Sequence, residues 1–425
     1  MTMAVISPKK LCGTVTVPPS KSELHRVIIC AALSRGTSAI YPIELSNDVL
    51  ATVNAVRALG ASVKFIDGKL LVNGDNTFNS KDISINCDES ASTLRFLIPI
   101  SSLSGTEVTF LGSKSLSKRP IDTYLNVLLK QGVNMELLEE KVFPLKVKGK
   151  IKPGKIELPG DISSQFISGL LLVLPLLNSD SEIILTTPLE SAGYVDLTLD
   201  VMKSFSVEVM KTKTGFFIKG NQSYKAREYK IEGDWSSAAF WILAGALGGN
   251  IEIKGLNLNS KQPDRSILSV VSRFGGNINF IDDVLKISGG NLKSTEVYAA
   301  QFPDLVPVLA VLGARAIGLT RIWGASRLKI KESNRLDALY NCLKEINVNI
   351  EKTDDGLLIS GGSKFKSSRL DCFKDHRIVM AMAIAGTISE GKTILKDAQS
   401  IRKSYPEFFD HFERLGGLVN VISLD

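Results

Sequence analysis

Near the start of the chain, four patterned stretches follow one another: KSELHRVIICAAL, TSAIYP, DVLATVNAVRALG and ASVKFIDGKLLVNG. Apolar residues at a period near 3.6 predict helices for the first and third, and β-branched or alternating residues predict strands for the second and fourth. The same order then recurs. Asp88, Asp161, Asp234, Asp304 and Asp375 each precede an apolar helical stretch, at spacings of 73, 73, 70 and 71, and Ser20, 68 residues before Asp88, opens a sixth copy. Four of the second helices run into glycine (Gly60, Gly132, Gly275, Gly416), the residue that most readily turns left-handed past a helix end. Asp67-Gly68, Asp282-Asp283 and Asp355-Gly356 predict tight turns between paired strands. The chain therefore reads as six βαβαββ units. Units that cannot bury their own apolar faces pack on neighbours, and six predicts two lobes of three. Hinges are expected at Val17-Pro18-Pro19 and around 226–230. They give a first lobe of 20–228 and a second of 1–19 with 229–425, the strand at 11–17 belonging to the second. A cleft between lobes is a favoured place for a ligand.

Length agrees with this division, since 425 residues exceed one ordinary core. The most apolar run, 166–177, is broken by Pro175 and falls short of the roughly 18 to 20 residues of a membrane span, so no membrane partner is expected. MTMAVISPKK lacks the apolar centre of a signal peptide. The five cysteines form no CxxC pair and are odd in number, which predicts reduced thiols in a cytoplasmic protein. A formal charge of +7 suits nucleic acid, an anionic membrane surface or small anionic substrates. The basic residues are scattered, with no block of five or six, which argues against a nucleic-acid clamp.

The anchors carry chemistry as well as structure. Ser20, Asp88, Asp161, Asp234 and Asp304 are good N-cap types, with Ser22, Ser90, Ser163 and Ser236 close behind. Helix N-termini present unpaired N–H groups and attract anions, so several facing one cleft predict a phosphate site. GTISEGKT, from Gly386 to Thr393, matches the P-loop pattern. A P-loop needs strand, loop, then helix, whereas here a helix precedes and a strand follows. Gly386 is then expected as a helix C-cap. His25, His376 and His411 have no metal-ligand spacing, and neither a GxGxxG nor a GxSxG occurs.

Charged clusters remain at the unit boundaries: PPSKSELHR, ESASTLR, SKRP at Ser117, GDISSQ at Gly160, SAGY at Ser191, PD at Pro303, KIKESNR at Lys329, DHR at Asp375 and KSYP at Lys403. Together, in order and across essentially the whole chain, they resemble the 5-enolpyruvylshikimate-3-phosphate (EPSP) synthase family. The resemblance implies a two-lobed inside-out α/β barrel of six βαβαββ units, three per lobe, in a monomer using two small anionic substrates. It implies transfer of the enolpyruvyl group of phosphoenolpyruvate to the 5-hydroxyl of shikimate 3-phosphate, releasing phosphate, with no metal, nucleotide or other cofactor. Shikimate 3-phosphate is expected at Lys21, Ser22, Arg26, Ser163, Ser164, Gln165, Ser191, Asp304 and Lys331, with Tyr194 against its ring. Phosphoenolpyruvate is expected at Lys21, Ala91, Arg119, Gln165, Arg335, Arg377 and Lys403. Asp304 fits the base at the hydroxyl and Glu332 the acid and later base at the methyl carbon, with Lys21 able to share either role. His376 stands between a site wall and a structural histidine. The related UDP-N-acetylglucosamine enolpyruvyl transferases carry a reactive cysteine in the loop near SKRP, and 112–122 here holds none. Ala91 and Glu89 stand where many members have glycine and asparagine. The methyl of Ala91 is expected to crowd the inhibitor glyphosate more than the shorter phosphoenolpyruvate. Arg327, where many members have asparagine, is left outside the substrate set.

Overall fold

The computed structural model describes residues 2–78, 83–137 and 142–423. The chain divides into two compact units, Pro19–Ile231 and Met1–Pro18 with Glu232–Asp425. Two strands, β1 (Thr2–Ser7) and β2 (Cys12–Thr16), precede the first unit and belong to the second.

The 19–231 unit contains α1 (Lys21–Ala32), β3 (Thr37–Tyr41), α2 (Asn47–Ala58), β4 (Ser62–Ile66) and β5 (Lys69–Asn73). Its second repeat is β6 (Ile83–Asn86), α3 (Ala91–Ser101), β7 (Gly105–Leu111), α4 (Asp122–Lys130), β8 (Asn134–Leu137) and β9 (Leu145–Gly149). Its third is β10 (Lys155–Leu158), α5 (Ser164–Val173), β11 (Ser181–Leu185), α6 (Ala192–Ser204), β12 (Met210–Lys211) and β13 (Gly215–Ile218). Each repeat makes a four-stranded sheet, ordered β6-β7-β9-β8 and β10-β11-β13-β12 in the complete cases. The first two strands are parallel, joined over the helix between them, and the rest are antiparallel, as a crossover followed by a hairpin requires. The first repeat has no leading strand of its own. β14 (Glu228–Lys230) supplies it, setting Glu228 opposite Ala39 and Lys230 opposite Tyr41. That pairing carries the unit to 231, past the expected limit at 228.

The other unit repeats the plan with α7 (Trp235–Ala246), β15 (Asn250–Lys254), α8 (Ile267–Arg273), β16 (Asn277–Ile281) and β17 (Val284–Ser288). Next come β18 (Glu296–Tyr298), α9 (Val306–Arg315), β19 (Leu319–Trp323), α10 (Arg335–Glu345), β20 (Asn349–Lys352) and β21 (Leu357–Ser360). Last are β22 (Arg369–Leu370), α11 (His376–Gly386), β23 (Thr393–Lys396), α12 (Phe408–Arg414) and β24 (Leu418–Ser423). Here β2 is the missing leading strand, parallel to β15 with Cys12 opposite Asn250. β1 lies antiparallel between β23 and β24, burying Ala4 and Ile6. Its alternation was not among the strands expected from the repeat.

The first helix of each repeat is the buried one. All of α7 except Ser236 is buried, Trp235 and Trp241 included, which is the environment an all-round apolar helix needs. α7, α9 and α11 pack on one another, as do α3 and α5. Close approach explains two glycines. A Cβ on Gly169 would meet the Tyr124 Oη at 2.3 Å and the Arg95 carbonyl at 2.5 Å. Gly386 is the last residue of α11, with Thr387 as C-cap, and not the cap expected; a Cβ there would press on Ile6 at 3.0 Å. The glycines at 60, 132, 275 and 416 do follow helix ends with φ of 109°, 83°, 86° and 84°. The N-caps also differ from expectation. Ser20, Asp234 and Asp375 cap α1, α7 and α11, but Ser90 and Ser163 cap α3 and α5 in place of Asp88 and Asp161. Asp88 is left-handed at φ 49°, in the turn before the helix. Asp304 lies in a 3-10 turn, Pro303–Leu305, ahead of α9.

Candidate active site

In the 19–231 unit the expected residues gather at helix N-termini. Lys21 opens α1, and its Nζ lies 2.7 Å from Asp48 Oδ2 in the first turn of α2. Ser22 is one residue on, and its carbonyl accepts from Arg26 Nη1 at 2.6 Å. Arg26, 3% exposed, donates from Nε to Thr198 Oγ1 at 2.7 Å and from Nη2 to the Tyr194 carbonyl at 3.0 Å, both on α6. Three of its five N–H groups are thus engaged by protein, leaving one hydrogen on each terminal nitrogen. Burial pulls its pKa down to about 10, so it stays charged at neutral pH. Ser163 caps α5, with Ser164 buried as the first helical residue. The Gln165 Oε1 accepts from Arg95 Nη1 at 2.8 Å, and its Nε2 donates to Ser92 Oγ at 2.9 Å. Arg95 also donates to the Pro120 carbonyl at 2.8 Å and stands over the Phe166 ring. It therefore ties α3 and α5 to the segment ahead of α4 that carries Arg119, itself 8% exposed. Ala91 begins α3, 4% exposed. Ser191, left-handed at φ 54°, precedes α6. Glu89 accepts from Ser115 Oγ at 3.3 Å.

In the 232–425 unit the expected residues form one charged cluster. Asp304 Oδ1 lies 2.8 Å from Arg335 Nη1 and 3.3 Å from Lys331 Nζ, and its Oδ2 lies 3.2 Å from Arg377 Nη2. Arg335, the first residue of α10, is 1% exposed. Besides Asp304 it binds Glu332 Oε2 at 2.7 Å and both oxygens of Asp375, at 2.8 and 3.3 Å. Three carboxylates thus face three cations. Burial opposes the charge of Asp304, but Arg377, Lys331 and Arg335 outweigh it and hold its pKa well below the usual carboxylate range. Burial likewise opposes Asp375, which Arg335 brings below its ordinary value. Burial pulls Lys331 down against Asp304, while the three carboxylates raise Arg335 despite its burial. His376, 1% exposed, has Nδ1 3.8 Å from Asp375 Oδ1. Arg327 donates to the Ala300 carbonyl.

Asp304, Lys331, Glu332, Arg335 and Arg377 are therefore in direct contact. Lys403 is buried at the end of the Ala398–Lys403 turn, which packs on α11. Sequence reasoning missed Asp375 as a partner of Arg335, Asp48 as the partner of Lys21, and Arg95 as the support of Gln165. Asp375 and Arg95 stood inside the motifs DHR and ESASTLR, but nothing local marks whom they hold. Among the described residues, no group of His, Cys, Asp and Glu is arranged to hold a metal, and no helix is long and apolar enough to cross a membrane.

The family model for EPSP synthase (3-phosphoshikimate 1-carboxyvinyltransferase) matches residues 5–412. The chain belongs to that family. A 3-phosphoshikimate 1-carboxyvinyltransferase of Clostridium perfringens is 44% identical over 422 residues, 99% of each chain. One from Clostridioides difficile is 43% identical over 98% of each. The solved structure of EPSP synthase from Acinetobacter baumannii superposes with a TM-score of 0.84 at 23% identity, covering both chains fully. The enolpyruvyl transferase NikO from Streptomyces tendae gives 0.82 at 17% identity, over 100% of this chain and 99% of that one. At those identities the likeness speaks for the fold alone. The resemblance drawn from the motifs and the fold class drawn from the repeat are both borne out.

Proposed function

We propose that this chain is a 3-phosphoshikimate 1-carboxyvinyltransferase, moving the enolpyruvyl group of phosphoenolpyruvate to the 5-hydroxyl of shikimate 3-phosphate with release of phosphate. The observation that carries the reading is the 44% identity, over 99% of each chain, to a relative of that name. A cytoplasmic site of action is part of the same reading, in keeping with five free thiols.

The reaction needs a proton taken from the 5-hydroxyl and one delivered to the methylene carbon, then a proton removed from the new methyl as phosphate leaves the tetrahedral adduct. Asp304 is assigned to the hydroxyl and Glu332 to the carbon, with Lys21 able to share either role. Three cations on one carboxylate make Asp304 a weak base. Anionic substrate on Arg335 and Arg377 neutralises those cations and raises the basicity of Asp304 when there is a hydroxyl to deprotonate. Arg335 has one N–H left beyond its four bonds to carboxylates, so its share in holding phosphoenolpyruvate is small beside those of Arg377, Arg119, Lys21 and Lys403. Gln165, held by Arg95, has its place among both substrates, and Ala91 lies beside phosphoenolpyruvate. Arg26 offers its two free terminal hydrogens to the shikimate carboxylate as a planar fork. Ser22, Ser163, Ser164, Ser191 and Lys331 serve its phosphate and hydroxyls. Preorganised donors of this kind stabilise the charge that develops in the transition state.

The test is phosphate release by the purified protein. Release is expected with both substrates together and with neither alone, and with shikimate 3-phosphate but not UDP-N-acetylglucosamine as acceptor. Release from phosphoenolpyruvate alone, or none with both, refutes the assignment.

A further inference from the structure

Asp264 is a buried carboxyl near the charged cluster that the reaction above does not use. It sits in the 3-10 turn Pro263–Ser266 ahead of α8 and is 1% exposed. The Ser236 hydroxyl donates to its Oδ2. Its Oδ1 is buried with no hydrogen-bond partner among the described residues. The charged groups that act on it are Asp304 ahead of α9, Arg377 on α11 and Asp234 at the N-cap of α7. α8, which follows it, carries only apolar and hydroxyl side chains before Arg273. A buried carboxylate oxygen without a donor is costly, and two aspartates oppose a further negative charge against one arginine. Burial first, then Asp304, push the Asp264 carboxyl up to about 7.

We propose that Asp264 is a positioning residue for the anion held by Arg377, working as the neutral acid, and that its ionisation weakens that hold. The inference rests on the reading of Arg377 as a cation for phosphoenolpyruvate. As the acid, Asp264 leaves the full charge of Arg377 for the ligand and lets the three cations and three carboxylates balance. Ionised, it adds an uncompensated negative charge beside Arg377 and Asp304 and competes with the ligand for the same cation. The weakened hold on the ligand shows in KM for phosphoenolpyruvate, while a negative charge beside Asp304 acts separately on its basicity and shows in kcat.

The experiment measures kcat and KM for phosphoenolpyruvate from pH 5.5 to 8.5 in the wild type, Asp264→Asn and Ser236→Ala. Asparagine mimics the neutral acid, so wild type and Asp264→Asn should agree near pH 6. The ratio of wild-type KM to that of Asp264→Asn should then climb to roughly three- to tenfold by pH 8, the scale of one unit charge several ångströms away in a partly screened site. The substrate's own phosphate titrates near pH 6 in every protein and cancels in the ratio. Loss of the Ser236 hydroxyl removes a bond that favours the ionised form, so Ser236→Ala should move the rise in KM to higher pH. A ratio that stays flat with pH, or a KM raised equally at every pH, overturns the proposal. Should Asp264→Asn fail to fold, Ser236→Ala decides it: a rise that does not move, or moves to lower pH, is equally fatal. Absence of phosphoenolpyruvate turnover in the wild type at every pH strikes the reaction assigned above, and this inference falls with it.

Discussion

Replacing Asp304 by asparagine keeps its shape but takes one negative charge from the middle of a balanced cluster. Arg335 at 2.8 Å, Arg377 at 3.2 Å and Lys331 at 3.3 Å would then surround a neutral amide. Two consequences separate by size and sign. If Asp304 takes the hydroxyl proton, kcat should fall by about two to four decades. Affinity should move the other way, because an anion on the same cations no longer faces the carboxylate. At about 5 Å and an effective dielectric near 20, that repulsion is roughly 3 kcal/mol. Partial screening at a side chain 15% exposed brings the expected gain in phosphoenolpyruvate affinity to about tenfold. Phosphate release at saturating substrates gives the first quantity and calorimetric titration the second. Turnover within threefold of wild type would refute the base assignment. A changed KM with unchanged kcat would reduce Asp304 to a charge partner of its arginines. The depressed pKa of Asp304 also fixes the pH dependence of stability. Its contribution is fully present above the ordinary unfolded value near 4 and is lost as pH falls through the folded one. The gap in unfolding free energy between wild type and Asp304→Asn should therefore narrow in acid.

Asp264 has the opposite sign: raised from 3.8 to about 7, it destabilises the fold progressively between those values, by at most about 4 kcal/mol. Denaturant titrations should find Asp264→Asn equal to wild type below pH 4 and increasingly more stable up to pH 7; a gap that shrinks with rising pH would contradict this. Gly169→Ala should lower the unfolding free energy, read from denaturant titration, by at least the roughly 1–3 kcal/mol of an overpacked core, because the new Cβ displaces Tyr124 from its bonds to the carbonyls of Arg95 and Phe166. Ala91→Gly should bind glyphosate roughly ten- to a hundredfold more tightly while KM for phosphoenolpyruvate barely moves, and inhibition curves for the two proteins that coincide would rule the methyl out as the gate.

Much of the fold was legible because the repeat is a repeat of periods, and periods survive divergence of individual residues. What periodicity cannot reach is a strand of three residues such as β14, whose partner lies some 190 positions away at Ala39 to Tyr41. β1 was equally hidden, since its six residues alternate beside a terminus that the repeat does not cover. The cap slipped by two residues at α3 for a local reason. Asp88 turns left-handed, a conformation aspartate tolerates better than most residues, and hands the capping role to Ser90.

Candidate site residues were legible by motif, but their electrical state was not. Burial pushes Asp264, Asp304 and Asp375 alike toward the neutral form. The sign of the outcome then depends on how many cations reach each one. Asp375 receives Arg335 on both oxygens and Asp304 receives three cations, so both stay ionised. Asp264 has Arg377 against two other aspartates and a single hydroxyl bond, so it holds its proton up to about pH 7. Arg335 is 40 residues from Asp375 and 31 from Asp304, and no spacing rule links them in the sequence. A motif thus selects which aspartate can take part, while the long-range packing of α9, α10 and α11 decides whether it serves as a base or as an acid.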